Sequence, residues 1–386
     1  MKIAILFLLL NCLYGLPRFS LEQGSQCMSC HINPTGGGMR NDYGSNVYTL
    51  DELTIRKWIS KGNEDWDGYV TDNVQLGGEF RLQSFDGNSG SSTFPMQMEL
   101  YANIDINKDV DLYIELPAGQ SGLADNYDFF LLFNNLPNNT WIKIGKASPN
   151  YGLMIDDHSS FIKSGNGDKA ALFDDNNIDS GFRNMFDPTR SKPIMIESGF
   201  NFGKGFSMTI DASQSLKDYP QDKLVNYAST LTYMKSFDNI SFMLGTSLMH
   251  ENDVNLRGFF GGFSVSKFSI TFEIDRADNL FDIPGYRSSL ASYAQFVYKP
   301  IQGLHLIAKY DFFDYNETVE NGALSRFSYG LEFYPLNMLE VKFQVREYSS
   351  NYWELTTDPV GHMSGYSSSE SNINKPEYLL QLHAWF

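Results

Sequence analysis

From about residue 75 to the C-terminus, apolar and polar side chains alternate with a period of two over segments of about ten residues, the pattern of strands with two unlike faces. Met96, Met98, Leu100, Ala102, Ile104 and Ile106 share one face, while Gln97, Glu99, Tyr101, Asn103 and Asp105 share the other. After Asn107-Lys108-Asp109 the alternation resumes with Val110, Leu112, Ile114 and Leu116, so the two segments read as an antiparallel hairpin. The same rule predicts sixteen strands, near 75–85, 94–106, 110–118, 126–135, 139–147, 194–202, 205–213, 225–236, 239–249, 255–266, 268–276, 286–298, 303–314, 325–335, 338–350 and 376–386. Tight turns such as Gly203-Lys204-Gly205 and Leu336-Asn337 alternate with longer loops such as 86–93, 214–224, 315–324 and 351–375.

The predicted fold class is all-β: a transmembrane antiparallel barrel over 75–386, preceded by a short segment over 16–74. An even strand count, with short turns at one end and long loops at the other, resembles bacterial outer-membrane barrels. Tyr378, Leu380, Leu382, Ala384 and Phe386 share a face, and a terminal Phe on such a strand resembles the signal by which those barrels are recognised for assembly. A soluble sandwich or propeller would need polar outward faces, whereas here one face of nearly every strand is apolar and the other carries ionic residues. The connection 148–193 is far longer than the rest. In sixteen-stranded porins a long loop at this point folds into the lumen, and that resemblance makes 148–193 the candidate constriction; a solvated surface loop is the alternative.

Composition sharpens this picture. The chain has 386 residues, 29 Lys+Arg against 46 Asp+Glu and a formal charge of −17, which favours cations over anions, and no basic stripe that would point to nucleic acid. Residues 1–15 read as a secretory signal with Lys2, an apolar core from Ile3 to Leu10 and a cleavage site at Leu13-Tyr14-Gly15. An alternative reads Leu9-Leu10-Asn11-Cys12 as a loose lipoprotein box acylated at Cys12.

The two remaining cysteines form Cys27-Met28-Ser29-Cys30-His31. In Cys-x-x-Cys-His the two thiols can form thioethers to haem vinyl groups while the adjacent imidazole supplies an axial ligand to the iron, so one covalent haem c is expected on Cys27 and Cys30, with His31 axial. A Cys27–Cys30 disulfide and a partial zinc site are the alternatives. The Pro34-Thr35-Gly36-Gly37-Gly38 stretch would allow close approach of the backbone to a flat cofactor. Thr49 and Glu52 have capping-box spacing before Leu53, Ile55, Trp58 and Ile59, predicting a helix that Gly62 stops. Both termini of an even-stranded barrel lie on the periplasmic side, and strand parity turns His305 and His383 inward near that mouth. Both are candidates for the sixth haem ligand, alongside His158 if the long loop dips inward, and Met39 within the segment itself.

Signal peptide, a single Cys-x-x-Cys-His near the mature N-terminus and a barrel ending in Phe together resemble the fused monohaem cytochrome–porins of bacterial outer membranes, the class that includes outer-membrane iron oxidases. The resemblance implies electron transfer across the outer membrane between a periplasmic electron carrier and an external metal or redox donor such as Fe(II), in a lipid-embedded barrel. Only Cys27, Cys30 and His31 carry it residue by residue. The alternative is a diffusive porin whose N-terminal segment is a plug or partner-docking tether. No Ser/His/Asp grouping of a hydrolase can be located from spacing.

Overall fold

The computed structural model describes residues 17–55, 68–87, 90–118, 127–153, 160–162, 192–216, 223–279, 288–314, 317–318, 323–350, 353–357, 363–368 and 376–386. The signal segment, His158 and most of 148–193 lie outside them.

Sixteen strands form the barrel wall. In chain order they are β1 Val74–Gly87, β2 Gly90–Asn107, β3 Val110–Pro117, β4 Asp128–Leu136, β5 Thr140–Lys146, β6 Ile194–Gly203, β7 Phe206–Ser213 and β8 Asn226–Phe237. Then follow β9 Ile240–Glu251, β10 Val254–Val265, β11 Phe268–Asp278, β12 Ser288–Ile301, β13 Leu304–Asp314, β14 Ala323–Leu336, β15 Leu339–Ser350 and β16 Glu377–Trp385. Each pairs antiparallel with its chain neighbour, and β16 closes on β1 through pairs such as Leu382↔Leu82 and Trp385↔Glu79. Among the described residues closure leaves the wall without an unpaired edge, which is what allows a sheet to sit in hydrocarbon.

The strands run at or close to the predicted positions, because the side-chain alternation that the two faces impose is itself local. Where loops were predicted, two turn out to be more ordered. The predicted 86–93 loop shrinks to a two-residue connection as β1 and β2 extend, and 351–375 contains a hairpin, Trp353–Thr357 with Met363–Ser368. Turn chemistry agrees with the sequence: Lys204, Asp238, Asn252 and Ser266 take positive φ between 51° and 54° at two-residue turns that match strand twist.

The outward face is apolar, with Leu248 53% and Phe259 49% exposed. The inward face is ionic, yet it is dry: Glu273, Asp311 and Arg326 are all 0% exposed. In a water-filled pore such side chains would be wetted, so the lumen is occupied. Two segments of the chain occupy it. The first is 17–55, comprising helix α1 (Pro17–Gln23), a single turn Cys27–Ser29 and helix α2 (Tyr43–Leu53), which has wide turns and closes with Thr54 N–H donating to the Thr49 carbonyl at 3.0 Å. The second is the start of the long connection. There Gly152 N–H donates to Ser247 Oγ at 2.8 Å, Leu153 N–H to the Glu273 carboxylate at 3.1 Å and Ser160 Oγ to Asp311 at 2.9 Å. Within the candidate constriction, the described stretches 148–153 and 160–162 therefore fold inward.

Helix α2 corrects the predicted helix. Its start is set upstream by Asn41, whose Oδ1 accepts the Gly44 N–H at 3.0 Å and whose carbonyl accepts the Ser45 N–H at 3.0 Å. Thr49 lies inside the helix and its hydroxyl donates to the Ser45 carbonyl, so it caps nothing. Trp58, Ile59 and Gly62 lie outside the described residues.

Candidate functional site

The Cys27–Ser29 turn stands within the lumen. Cys30 N–H and His31 N–H both donate to the Cys27 carbonyl, at 3.1 and 3.2 Å, which winds the five residues into one helical turn. Residues at i, i+3 and i+4 share a helical face, so Cys27, Cys30 and His31 share one. Met28 points elsewhere and packs on the cluster of Met39, Tyr101, Tyr113 and Trp141. His31 then pairs with Arg40 in an antiparallel bridge, and Ile32 N–H donates to the Met39 carbonyl at 3.1 Å.

The glycines bring backbone close to the motif. Gly36, with φ at +94°, passes so near Cys27 that a Cβ there would stand 3.1 Å from its sulfur. A Cβ at Gly44 would stand 2.3 Å from the Cys30 carbonyl oxygen, which places the start of α2 directly over the motif. Both cysteines are thiols, and among the described residues no three His, Cys, Asp or Glu side chains are arranged to hold a metal ion.

Cys27 borders a small cavity of about 100 Å³, open in part to solvent, between the plug and the inward loop. Thr35, Trp141, Asn150, Leu153 and Phe260 contribute to its walls. The thiol has surface on this internal space while the surrounding protein desolvates it, and burial pushes its pKa up to about 11. Cys30 is buried instead among Phe19, Tyr48, Leu53, Tyr334 and Trp385. The two thiols and the imidazole share one face of the turn, but of the three only Cys27 lines this cavity, while Cys30 and His31 are buried outside its walls.

The candidate sixth ligands occupy different places. His305 is inward and buried, its ring 5.9 Å from that of Phe19 and 5.1 Å from that of Tyr334. His383 is also inward and buried, with Nδ1 3.2 Å from Glu340 Oε2, Nε2 3.5 Å from Glu79 Oε2 and its ring 4.9 Å from Trp385. Met39 is buried against the wall, where its N–H donates to Tyr113 Oη at 2.9 Å. None of the three lines the cavity at Cys27.

The anchors of the plug escaped the sequence reading, because each joins residues far apart in the chain. Arg18 pairs with Glu332 and donates to Tyr334 Oη at 2.9 Å, and Lys299 pairs with Glu22. Lys143, fully buried on β5, reaches Glu197 at 2.7 Å and also Asn33 Oδ1 and Thr35 Oγ1, each at 3.3 Å. A lysine at an inward position was the only local signal.

No family model matches the chain, and no curated protein matches its sequence. Solved structures do match its fold. The outer membrane channel DcaP of Acinetobacter baumannii superposes with a TM-score of 0.52 at 11% identity, over 83% of this chain and 99% of that one. OprB of Pseudomonas putida gives 0.55 at 8% identity, over 81% and 94%. The anion-selective porin from Comamonas acidovorans gives 0.51 at 10% identity, over 81% and 99%. At these identities the likeness speaks to architecture alone. The chain has the closed, sixteen-stranded antiparallel barrel fold of the outer-membrane porins.

Proposed function

We propose that the chain is an outer-membrane barrel closed by its own N-terminal segment, and that this plug is a haem-bearing electron carrier joining a periplasmic redox partner to an external donor such as Fe(II). The observation that carries the reading is the position of the Cys27–His31 turn, held inside the lumen with Cys27 on a cavity. Covalently bound haem c would supply reversible one-electron exchange. The protein's part is to hold the cofactor through Cys27 and Cys30, to present His31 to the iron and to exclude bulk water by packing Phe19, Tyr48 and Trp385 around Cys30. The wall and the plug together keep solutes from passing while electrons do. Haem staining of a denaturing gel, after expression with a cytochrome c maturation system, tests this: a band that disappears in the Cys27→Ala/Cys30→Ala variant supports it, and an unstained wild-type protein refutes it.

A second reading is a gated channel in which the plug moves aside. It is favoured by the polar anchoring of 17–55, since Arg18, Glu22, Asn33 and Thr35 all meet the wall through ion pairs or hydrogen bonds that water could replace. It is also favoured by the channels and porins among the structural matches. Steady cation conductance of the wild-type protein in planar bilayers, without covalent haem, would select this reading over the first.

A further inference from the structure

We propose that residues 17–55 are a strap that holds the barrel wall closed along the seam where its two ends meet, between β16 and β1. Among the described residues every other ladder of the wall joins strands that are consecutive in the chain, whereas this one joins the last strand to the first. No turn or connecting loop ties its two sides together, so here the wall can part without changing any other pairing. At the end of β16 the main chain zips the seam, with Gly78 N–H donating to the Phe386 carbonyl at 3.1 Å and Phe386 N–H to the Gly78 carbonyl at 3.0 Å. Side chains add to it: His383 Nε2 stands 3.5 Å from Glu79 Oε2, and Gln381 Nε2 donates to Gln83 Oε1 at 3.0 Å.

The middle of the segment lies over this seam, and its flanks hold the wall on either side. Arg40 sets its guanidinium over the Trp385 ring of β16, 4.5 Å from the centroid. Met39 passes over Gly77 of β1, where a Cβ would meet its side chain at 3.6 Å. Two adjacent residues thus hold one strand of the seam each. Towards the first strands, Met39 N–H donates to Tyr113 on β3, and Asn33 and Thr35 accept from Lys143 on β5. Towards the last strands, Arg18 pairs with Glu332 and Tyr334 on β14, Tyr48 and Leu53 pack with Trp385, and Ile55 N–H donates to the Tyr334 carbonyl at 3.1 Å. The strap supplies from inside the link that the chain lacks at the seam. It also directly precedes β1, so its contacts with β3 and β5 can form before β16 arrives. Trp385 then docks on a surface already in place, which offsets part of the entropy of bringing distant chain ends together. This role goes beyond conduction and redox chemistry and does not depend on whether the Cys27–His31 turn carries haem.

The test is hydrogen–deuterium exchange, read peptide by peptide on the full chain in detergent micelles. In Met39→Ser/Arg40→Ser, amides of β1 and β16 should exchange roughly tenfold faster than in the wild type, while those of β9 and β10 keep their wild-type rates. Leu153→Ser loosens the inward loop, which also fills the lumen but lies away from the seam, and should leave β1 and β16 at wild-type rates. Should the double variant fail to fold, Arg40→Gln, which keeps Met39 in place, carries the same comparison with a smaller rise. Seam rates unchanged in the Met39 and Arg40 variants, raised equally around the whole wall, or raised as much by Leu153→Ser overturn the strap. Because exchange is read on protein with or without covalent haem, such a result leaves the haem reading standing.

Discussion

Lys143 joins the wall to the plug, and its removal separates what each owes to it. The ammonium is fully buried, 2.7 Å from Glu197 and 3.3 Å from both Asn33 Oδ1 and Thr35 Oγ1. Lys143→Met keeps an unbranched side chain but removes the charge, and with it the ammonium's position over the Phe130 and Trp141 rings. Two hydrogen bonds from a charged donor to the plug are lost; at about 1.5 kcal/mol each, the low end suited to their length, the docked plug loses about 3 kcal/mol, or roughly 150-fold in the ratio of docked to displaced states. In the wall, Glu197 and the neighbouring Asp211 are left without their cation, and breaking a buried pair costs about 3–5 kcal/mol. Adding Glu197→Gln removes one of these two uncompensated carboxylates and should restore part of the wall's stability while leaving the plug loose. Two assays follow: urea unfolding of the barrel in lipid vesicles, and ion flux through the same vesicles. The single variant should be less stable and leakier; the double should regain stability and remain leaky. Flux unchanged from wild type in both variants would show that Lys143 serves the wall alone and would refute its role in holding the plug.

Further outcomes follow from other sites. In protein prepared without haem, Cys27 has its thiol pKa raised from 9.0 to about 11 by burial, so alkylation at pH 8 should run about 100-fold slower than for a free cysteine. The sign is that of a group kept neutral by folding: its contribution to plug docking is complete below pH 9 and lost as pH rises towards 11, where alkylation should accelerate. Gly152 holds φ at +64° with Glu273 Oε1 only 1.7 Å from where a Cβ would stand. Gly152→Val therefore adds about 1–2 kcal/mol of backbone strain besides the clash, and limited proteolysis should then cut between residues 148 and 162. On the lipid-facing side, Phe259 stands midway along β10, and Phe259→Arg should cost about 2–4 kcal/mol, measured by refolding into bilayers.

How much of this was legible in the sequence depends on the range of the cause. The strands were, because alternation along Phe268, Ile270, Phe272 and Ile274 needs no knowledge of the neighbours. The start of α2 was misplaced because Thr49 and Glu52 imitate a capping box that Asn41, eight residues upstream of Thr49, pre-empts. Parity turned His305 and His383 inward, as the structure does, but parity fixes only the radial direction of a side chain. Which lumenal partner it meets depends on the path of residues 17–55 across the barrel, which parity does not encode.

A sequence signal for the path nevertheless exists. Lumen-facing positions of an open pore should be polar, yet Tyr113, Phe130, Trp141, Met195, Met234, Met243 and Phe260 all stand at inward positions and are buried. Each such side chain would be costly against water and is stable only against protein. They fall into two arcs. Tyr113, Phe130, Trp141 and Met195, on β3 to β6, meet Met28, Ile32 and Met39; Met234, Met243 and Phe260, on β8 to β10, belong to the cluster of Leu21 and Leu153. Inward hydrophobic residues in a two-faced strand thus record the footprint of whatever fills the barrel, and here the footprint matches the plug and the inward loop on either side of Cys27. By the same logic, replacing Met195 or Phe130 with Ser should weaken plug docking without disturbing the lipid-facing belt, and flux that does not rise would mean that these side chains pack for the wall alone.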